Sequence, residues 1–386
     1  SYILKDSATR AIFVQNDIQL EKILAIEKEL PELEMIFSFE KIEDKEAPET
    51  FNELLQKGKV HREANPNLFN ESLESIEPKA VCSLVYTSGT TGEPKGVMLN
   101  HNGFVTDIIN AEAVLNLRAD DVFLSFLPLS HLYERLAGHW CPMYKGGCIY
   151  YARGIDTVIE DIGNARPTVM VSVPRLYEKV ANAVQEQIEE SSPLKQKIFY
   201  WAIGTGLKYH ENRIAGTLDH WLERQYKLAE KLVFKKIKTK LGGRFRYPIA
   251  GGAPLSVETL KFFEAIGLRI IEGYGMTETH LILTLTPAGK TKYGSCGKPI
   301  EGIDMRIAED GEVLVKGEIL MDGYFNKPEL TADIIDEDGW LHTGDIGYLD
   351  EDKSLFLTDR KKNIIVTAGG KNVAPAPIEH KLKTSK

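Results

Sequence analysis

A short apolar run, Val81-Cys82-Ser83-Leu84-Val85, passes directly into Tyr86-Thr87-Ser88-Gly89-Thr90-Thr91-Gly92-Glu93-Pro94-Lys95-Gly96. The apolar run bounded by turn residues reads as a buried strand. From Thr87 to Gly92 every residue is a hydroxyl or a glycine. Glycine lets the backbone turn and approach a ligand closely, while amides and hydroxyls aim donors at anionic oxygens. Lys95 adds a mobile charge. A strand ending in such a loop is suited to holding phosphate. It is not a Walker A loop, because Glu93-Pro94 separate Gly92 from Lys95, whereas GxxxxGK[ST] needs Lys directly after the second glycine.

Around this junction the chain alternates between two periods. Residues 10–14 read as a strand. Asp17 can cap a helix carrying Leu20, Ile23, Leu24 and Leu30 before Pro31 stops it, and 35–39 is a second strand. Thr50-Phe51-Asn52-Glu53 fits a capping box. Helix is expected at 102–115 and 157–164, and strand at 122–126, 148–152 and 169–173. Residues 174–243 form a long charged, aromatic-sprinkled stretch with helical character. A strand at 245–250 then precedes a helix opened by Pro254 and Ser256 and ended by Gly267, with another strand at 268–271. From Gly294 the texture changes to short strands and Gly/Asp turns. The expected architecture is therefore α/β, with layered and mostly parallel sheets flanked by helices, plus a small β-rich subdomain. Its divisions fall at 1–293, 294–360 and 361–386, the last being a hinge and the start of a further small domain. The opening strands lack the neighbours that would cover them, so residues are expected upstream.

The 386 residues suffice for a large core, and 47 basic against 56 acidic side chains give a net charge of −9. That balance disfavours nonspecific nucleic-acid binding. No apolar run approaches membrane-spanning length. The cysteines at 82, 141, 148 and 296 are scattered without a CxxC pair and read as small buried hydrophobes in a reducing compartment. The nine histidines show no metal-ligand spacing.

Together with four further segments, the loop resembles the AMP-forming adenylating enzymes: acyl-CoA synthetases, luciferases and the adenylation domains of peptide synthetases. Those segments are Gly251-Gly252-Ala253, then Glu272-Gly273-Tyr274-Gly275-Met276-Thr277-Glu278-Thr279, then Trp340-Leu341-His342-Thr343-Gly344-Asp345, and Thr358-Asp359-Arg360-Lys361-Lys362. They occur in the family's order, from about residue 72 to 379. The resemblance implies that Thr87, Ser88, Gly89, Thr90, Thr91, Gly92 and Lys95 hold phosphate, and that Gly251, Gly252 and Ala253 line the nucleotide and acyl pocket. It implies that Glu272, Gly273, Tyr274, Gly275 and Met276 bind the nucleotide, with Tyr274 supplying a flat face for the adenine. Thr277 would donate to the α-phosphate, and Thr87 and Glu278 would hold Mg²⁺, which commonly takes one or two carboxylates besides substrate phosphates. Asp345 would anchor the ribose, Arg360 would be a second contact, and Lys362 would sit at the hinge. His131, in Leu127-Pro128-Leu129-Ser130-His131-Leu132-Tyr133-Glu134-Arg135, resembles the histidine beside the reacting carboxylate. Arg135 occupies the register of an aromatic gate found in some long-chain relatives. The catalytic set implied is Thr87, Lys95, His131, Thr277 and Glu278.

The string around His131 and the long helical stretch are similar to the long-chain fatty acyl-CoA synthetases. ATP-dependent ligation of a medium-to-long fatty acid to coenzyme A is therefore expected, through an acyl-adenylate. The alternatives are a fatty acyl-AMP ligase or other acid-activating enzyme, and a nucleotide-binding module without catalysis. Expected partners are fatty acid, ATP, Mg²⁺ and CoA, with no nucleic acid. A cytoplasmic location is expected, and peripheral membrane contact and a homodimer are left open. The family's catalytic lysine of the small domain has no counterpart among these residues, so weak adenylation by this chain alone is expected.

Overall fold

The computed structural model describes residues 1–43, 47–87, 92–287 and 292–363, with the backbone of 365–366, 372–373 and 375. They divide into two compact units: Ser1–His101 with Asp322–Thr331, and Asn102–Met321 with Ala332–Lys386.

The smaller unit opens with three parallel strands, Ala11–Val14, Met35–Ser38 and Glu49–Thr50. The helix between the first two is shorter than expected, Asp17–Leu24, with a separate 3₁₀ turn at Glu27–Glu29. Its cap is Asn16, whose side chain accepts from the Gln19 amide, and Asp17 is already helical. Leu20 is the only buried residue on this helix. Leu30, which the expected helix would have carried, is buried just past the 3₁₀ turn instead. The capping box is present as read: Thr50 accepts from the Glu53 amide while the Glu53 carboxylate accepts from the Thr50 amide, opening the helix Phe51–Ala64.

Val81–Thr87 is a strand, and Lys95–Asn100 returns antiparallel beside it with Thr87 opposite Lys95. The two strands thus pair as the arms of a hairpin. Gly323–Tyr324 adds a third strand against Lys95–Asn100. The returning strand escapes a sequence reading because its stabilising partners are cross-strand neighbours, which a local propensity scan does not contain.

The larger unit is built on a seven-stranded sheet. Five parallel strands lie in the order Cys148–Tyr151, Val122–Ser125, Val169–Ser172, Tyr247–Ala250 and Ile271–Tyr274. Thr284–Leu285 and Lys298–Pro299 extend it antiparallel. The strand expected at 268–271 is displaced toward Tyr274, because pairing of Ile271 with Ile249 sets the register. Leu268 and Ile270 are buried in the packed core instead of starting the ladder.

The charged stretch folds into helices Pro174–Glu189, Pro193–Ala215, His220–Ala229 and Lys235–Lys240, with a π turn at Glu230–Phe234. Leu176, Tyr177, Ala202 and Phe234 from this layer pack with Leu124, Met170 and Ala250 of the sheet. Full burial of one such large side chain stabilises by about 1.5–3 kcal/mol. The Tyr177 hydroxyl, buried here, donates to the Ile249 carbonyl at 3.0 Å. A separate four-stranded antiparallel sheet contains Ile303–Ile307, Glu312–Gly317, Leu341–Leu349 and Leu355–Arg360. The arrangement matches the expected fold class of helix-flanked, largely parallel layers with a β-rich part.

None of the four cysteines is in a disulfide, but only Cys141 is buried; Cys296 is half-buried and Cys82 and Cys148 are exposed. The two exposed ones lie on edge strands, whose outer faces are not covered by a neighbouring strand. Among the described residues no helix is long and apolar enough to cross a membrane.

Candidate active site

The carboxyl end of the Ile271–Tyr274 strand lies beside the β-rich sheet. Tyr274, the last residue of that strand, donates its hydroxyl to Asp345 Oδ2 at 2.7 Å. Antiparallel pairing places Asp345 opposite Arg360, and Arg360 Nε stands 3.1 Å from Asp345 Oδ1. Both carboxylate oxygens are thus engaged, by groups from two different segments. Asp345 is 7% exposed. Burial pushes its carboxyl above the ordinary range, against the Tyr274 hydrogen bond and the Arg360 charge, which favour the ionised form. Burial, and then the Asp345 charge, hold the Tyr274 phenol well above its usual range, so the proton stays on the tyrosine.

The turn leading to Asp345 is organised by Glu312, which the sequence did not mark. Its Oε1 accepts from the Gly344 amide at 2.9 Å, and its Oε2 lies 3.1 Å from His342 Nδ1 and 2.8 Å from Lys361 Nζ. Despite the cost of burial, Lys361, His342 and the Gly344 amide hold the Glu312 carboxyl below the ordinary range. The Asp345 amide donates to Thr343 Oγ1 at 3.1 Å, and that hydroxyl donates to the Val313 carbonyl at 2.8 Å. Glu312 lies in the strand paired with Leu341–Leu349, a relation the linear sequence leaves hidden.

Upstream, Glu272 and Gly273 lie on the same strand as Tyr274. Burial pushes the half-buried Glu272 carboxyl up to about 7, partly offset by the Leu255 amide. Gly275 follows, and a side-chain carbon there would fall 1.4 Å from the Leu281 carbonyl oxygen, so only glycine fits. Met276 leads into the 3₁₀ turn Thr277–Thr279, where Glu278 is 9% exposed. Its backbone carbonyl accepts from the Met321 amide at 2.8 Å.

Gly251, Gly252 and Ala253 sit just past the strand Tyr247–Ala250, and the Tyr133 ring lies against Gly251. The Tyr133 hydroxyl donates to the Ser172 carbonyl at 3.0 Å, pinning the His131 segment to the ends of the central strands. His131 itself is exposed, and its Nδ1 accepts from the Tyr133 amide at 3.4 Å. Arg135 folds back to donate to the Leu129 carbonyl at 2.9 Å. Tyr133 is a second residue the motif reading passed over, although it stands two positions from His131.

In the smaller unit, Thr87 closes its strand and Lys95 opens the return, with Lys95 Nζ 4.9 Å from the centre of the Tyr324 ring. Gly92 has φ +95°. Ser88, Gly89, Thr90 and Thr91 lie outside the described residues. Lys362 is exposed, and its charge favours ionisation of Asp345.

The geometry therefore unites three of the motif segments at one carboxylate, with a fourth against the central strands. The chain matches the family model for AMP-binding enzymes over residues 1–325. It belongs to the AMP-binding enzyme family. This family member is 34% identical to a long-chain-fatty-acid–CoA ligase of Xenopus laevis over 397 residues, covering 99% of the chain and 53% of that protein. It is also 34% identical to a long-chain-fatty-acid–CoA ligase of Mycobacterium tuberculosis over 384 residues, covering 99% of the chain and 62% of that protein. The chain thus spans about half to three-fifths of the length of these relatives. Among solved structures, the anthranilate CoA ligase AuaEII in complex with anthranoyl-AMP superposes with a TM-score of 0.71 at 23% identity, covering 99% of this chain and 64% of that one. ATP-bound MatB from Rhodopseudomonas palustris gives 0.70 at 21% identity, covering 100% of this chain and 65% of that one. These two likenesses establish the AMP-binding enzyme fold.

Proposed function

We propose that this chain activates a medium-to-long fatty acid as its acyl-adenylate and passes the acyl group to coenzyme A. The observation that carries the reading is the meeting of Tyr274, Asp345 and Arg360. A flat ring, a buried carboxylate and a guanidinium stand together, as recognition of a nucleoside requires. The similarity to long-chain-fatty-acid–CoA ligases supports the substrate class.

In the first step a fatty-acid carboxylate oxygen bonds to the α-phosphorus of ATP while the bond to the β-phosphate oxygen breaks and pyrophosphate leaves. Catalysis of such a transfer is mainly positioning and charge stabilisation. Asp345 and Arg360 orient the sugar, Tyr274 offers the base a face, and Thr277 donates to the α-phosphate. The hairpin loop from Thr87 to Gly92, with Lys95, supplies donors to phosphate oxygens. His131 stands beside the acid. In the second step the CoA sulfur bonds to the acyl carbon, the carbon–oxygen bond to AMP breaks, and the thiol proton passes to solvent.

Among the described residues no group of three or more His, Cys, Asp or Glu side chains could hold a metal by itself. A single buried carboxylate, Glu278, with substrate phosphates completing the set, fits the habits of Mg²⁺, and the motif implies Thr87 as a further ligand. The ion would neutralise charge on the departing pyrophosphate. Lys362 serves the hinge.

The test is Glu278→Gln in the full chain, assayed by ATP–pyrophosphate exchange with a long-chain acid and by thioester formation with CoA or a carrier protein as acceptor. Exchange should fall by about 10²–10³-fold, the range for losing a key electrostatic group. Unchanged exchange, or transfer to the carrier protein alone, overturns the proposal.

A further inference from the structure

The turn carrying Glu278 is strained. His280 has φ +56° and Leu281 has φ +148°, and neither is glycine. Such conformations cost about 1–3 kcal/mol each and persist only where their surroundings over-determine them. The helix His101–Leu115 provides much of that surrounding. On its buried face lie Gly103, Phe104, Asp107, Ile108, Ala111 and Leu115, so one carboxylate occupies a position otherwise given to apolar or small residues. Asp107 is 0% exposed. Its Oδ2 accepts from the Ile282 amide at 2.9 Å, and its Oδ1 has no hydrogen-bond partner among the described residues.

Leaving a carboxyl oxygen buried and unpaired costs about 1–3 kcal/mol, so an apolar residue would serve the core better here. The one contact that an apolar residue could not make is the bond to Ile282. That bond comes where the chain leaves the left-handed pair to rejoin the sheet, since the Leu283 amide next donates to the Tyr274 carbonyl at 2.9 Å. The same helix braces the near side of the turn. The His280 ring meets the Phe104 ring edge-on at 4.9 Å, and a side-chain carbon on Gly103 would fall 2.2 Å from His280 Nε2. His280 Nδ1 lies 2.8 Å from the Ile319 carbonyl oxygen. Of these braces, Asp107 is the one that fixes the backbone just past the strained pair.

We propose that Asp107 is a positioning residue: by accepting the Ile282 amide it holds the strained turn in the conformation that aims Glu278 at the metal–nucleotide. The inference rests on the reading of Glu278 as a magnesium ligand. Burial favours the neutral form of Asp107, which asparagine reproduces in shape and in acceptor.

The experiment compares Asp107→Asn with Asp107→Leu in the full chain, by hydrogen exchange across residues 277–283 and by the magnesium dependence of ATP–pyrophosphate exchange. In Asp107→Leu the Ile282 amide should exchange at least about tenfold faster, and half-maximal rate should need about tenfold more magnesium, as expected for losing one hydrogen bond to a buried carboxyl. The fatty-acid KM should stay unchanged, and Asp107→Asn should match the unsubstituted chain on every measure. If Asp107→Leu does not fold, Asp107→Ser carries the same expectations, being polar but too short to reach Ile282. A folded Asp107→Leu with unaltered exchange and magnesium dependence overturns the inference, as does an Asp107→Asn equally impaired. An unsubstituted chain that makes no acyl-adenylate defeats the proposed function and leaves the hydrogen-exchange comparison standing.

Discussion

Glu134 lies in the π turn Glu134–Trp140 and is 0% exposed, and neither carboxyl oxygen makes a well-aligned hydrogen bond with another described group. Burial pushes its carboxyl from 4.5 up to about 7, only partly offset by the nearby Ser125 hydroxyl and Phe126 amide. The folded state therefore holds the proton more tightly than the unfolded chain. The stabilisation is present in full at low pH and is lost as pH rises through about 7, and the change is worth at most about 3 kcal/mol. Glu134→Gln keeps the neutral form at every pH. Its stability should match the original protein near pH 5 and exceed it at pH 8, as read by the midpoint of urea unfolding. Equal midpoints at pH 8 would show that Glu134 is not held protonated. Glu272, also raised to about 7, contributes with the same sign, so the substitution removes only part of the pH dependence.

At the scale of elements, the helix His101–Leu115 and the turn after Tyr274 form one mechanical piece. Replacing a helical glycine by alanine ordinarily stabilises by about 0.5–1 kcal/mol. Gly103→Ala should do the reverse, because the added carbon meets the buried His280 ring, whose exposure is 0%. Combining it with His280→Ala should recover part of the loss, giving a coupling of about 0.5–3 kcal/mol in a double-mutant cycle. Additive effects would mean that the ring is free to move aside. Elements of this kind were the least legible in the sequence. The capping box at Thr50 and the core strands announce themselves through local chemistry and period. The strand Lys95–Asn100, the register of Ile271–Tyr274 and the cluster around Glu312 depend on partners far along the chain. Asp107 did leave a trace, as a lone carboxylate on an apolar helical face, but an anchoring role needs the neighbour it anchors.

At the scale of the whole molecule, the two kinds of likeness carry different weight, since the structural one shows the fold alone. Sequence similarity near 34% leads to long-chain-fatty-acid–CoA ligases, whereas structures alike at 21–23% identity include an anthranilate CoA ligase and MatB. Fold is shared across many chemistries, and the pocket decides among them. The helical layer from Pro174 to Lys240, packed on the central sheet, is the part the sequence already associated with long-chain substrates. A panel of acids at fixed ATP and CoA should show kcat/KM for a sixteen-carbon fatty acid at least about 10²-fold above that for anthranilate, roughly the discrimination obtained from a few well-filled methylene sites. A preference for the aromatic acid would detach substrate choice from sequence similarity.

The Tyr274–Asp345 contact has one more consequence. On the proposed reading, a sugar arriving at Asp345 would meet a carboxylate that already accepts from a phenol and a guanidinium, and would share its remaining lone pairs with those donors. The net gain from each such added hydrogen bond would be modest. Selectivity would then rest on whether the newcomer supplies a donor to each carboxylate oxygen. A nucleoside lacking one hydroxyl would engage one oxygen alone and bind more weakly.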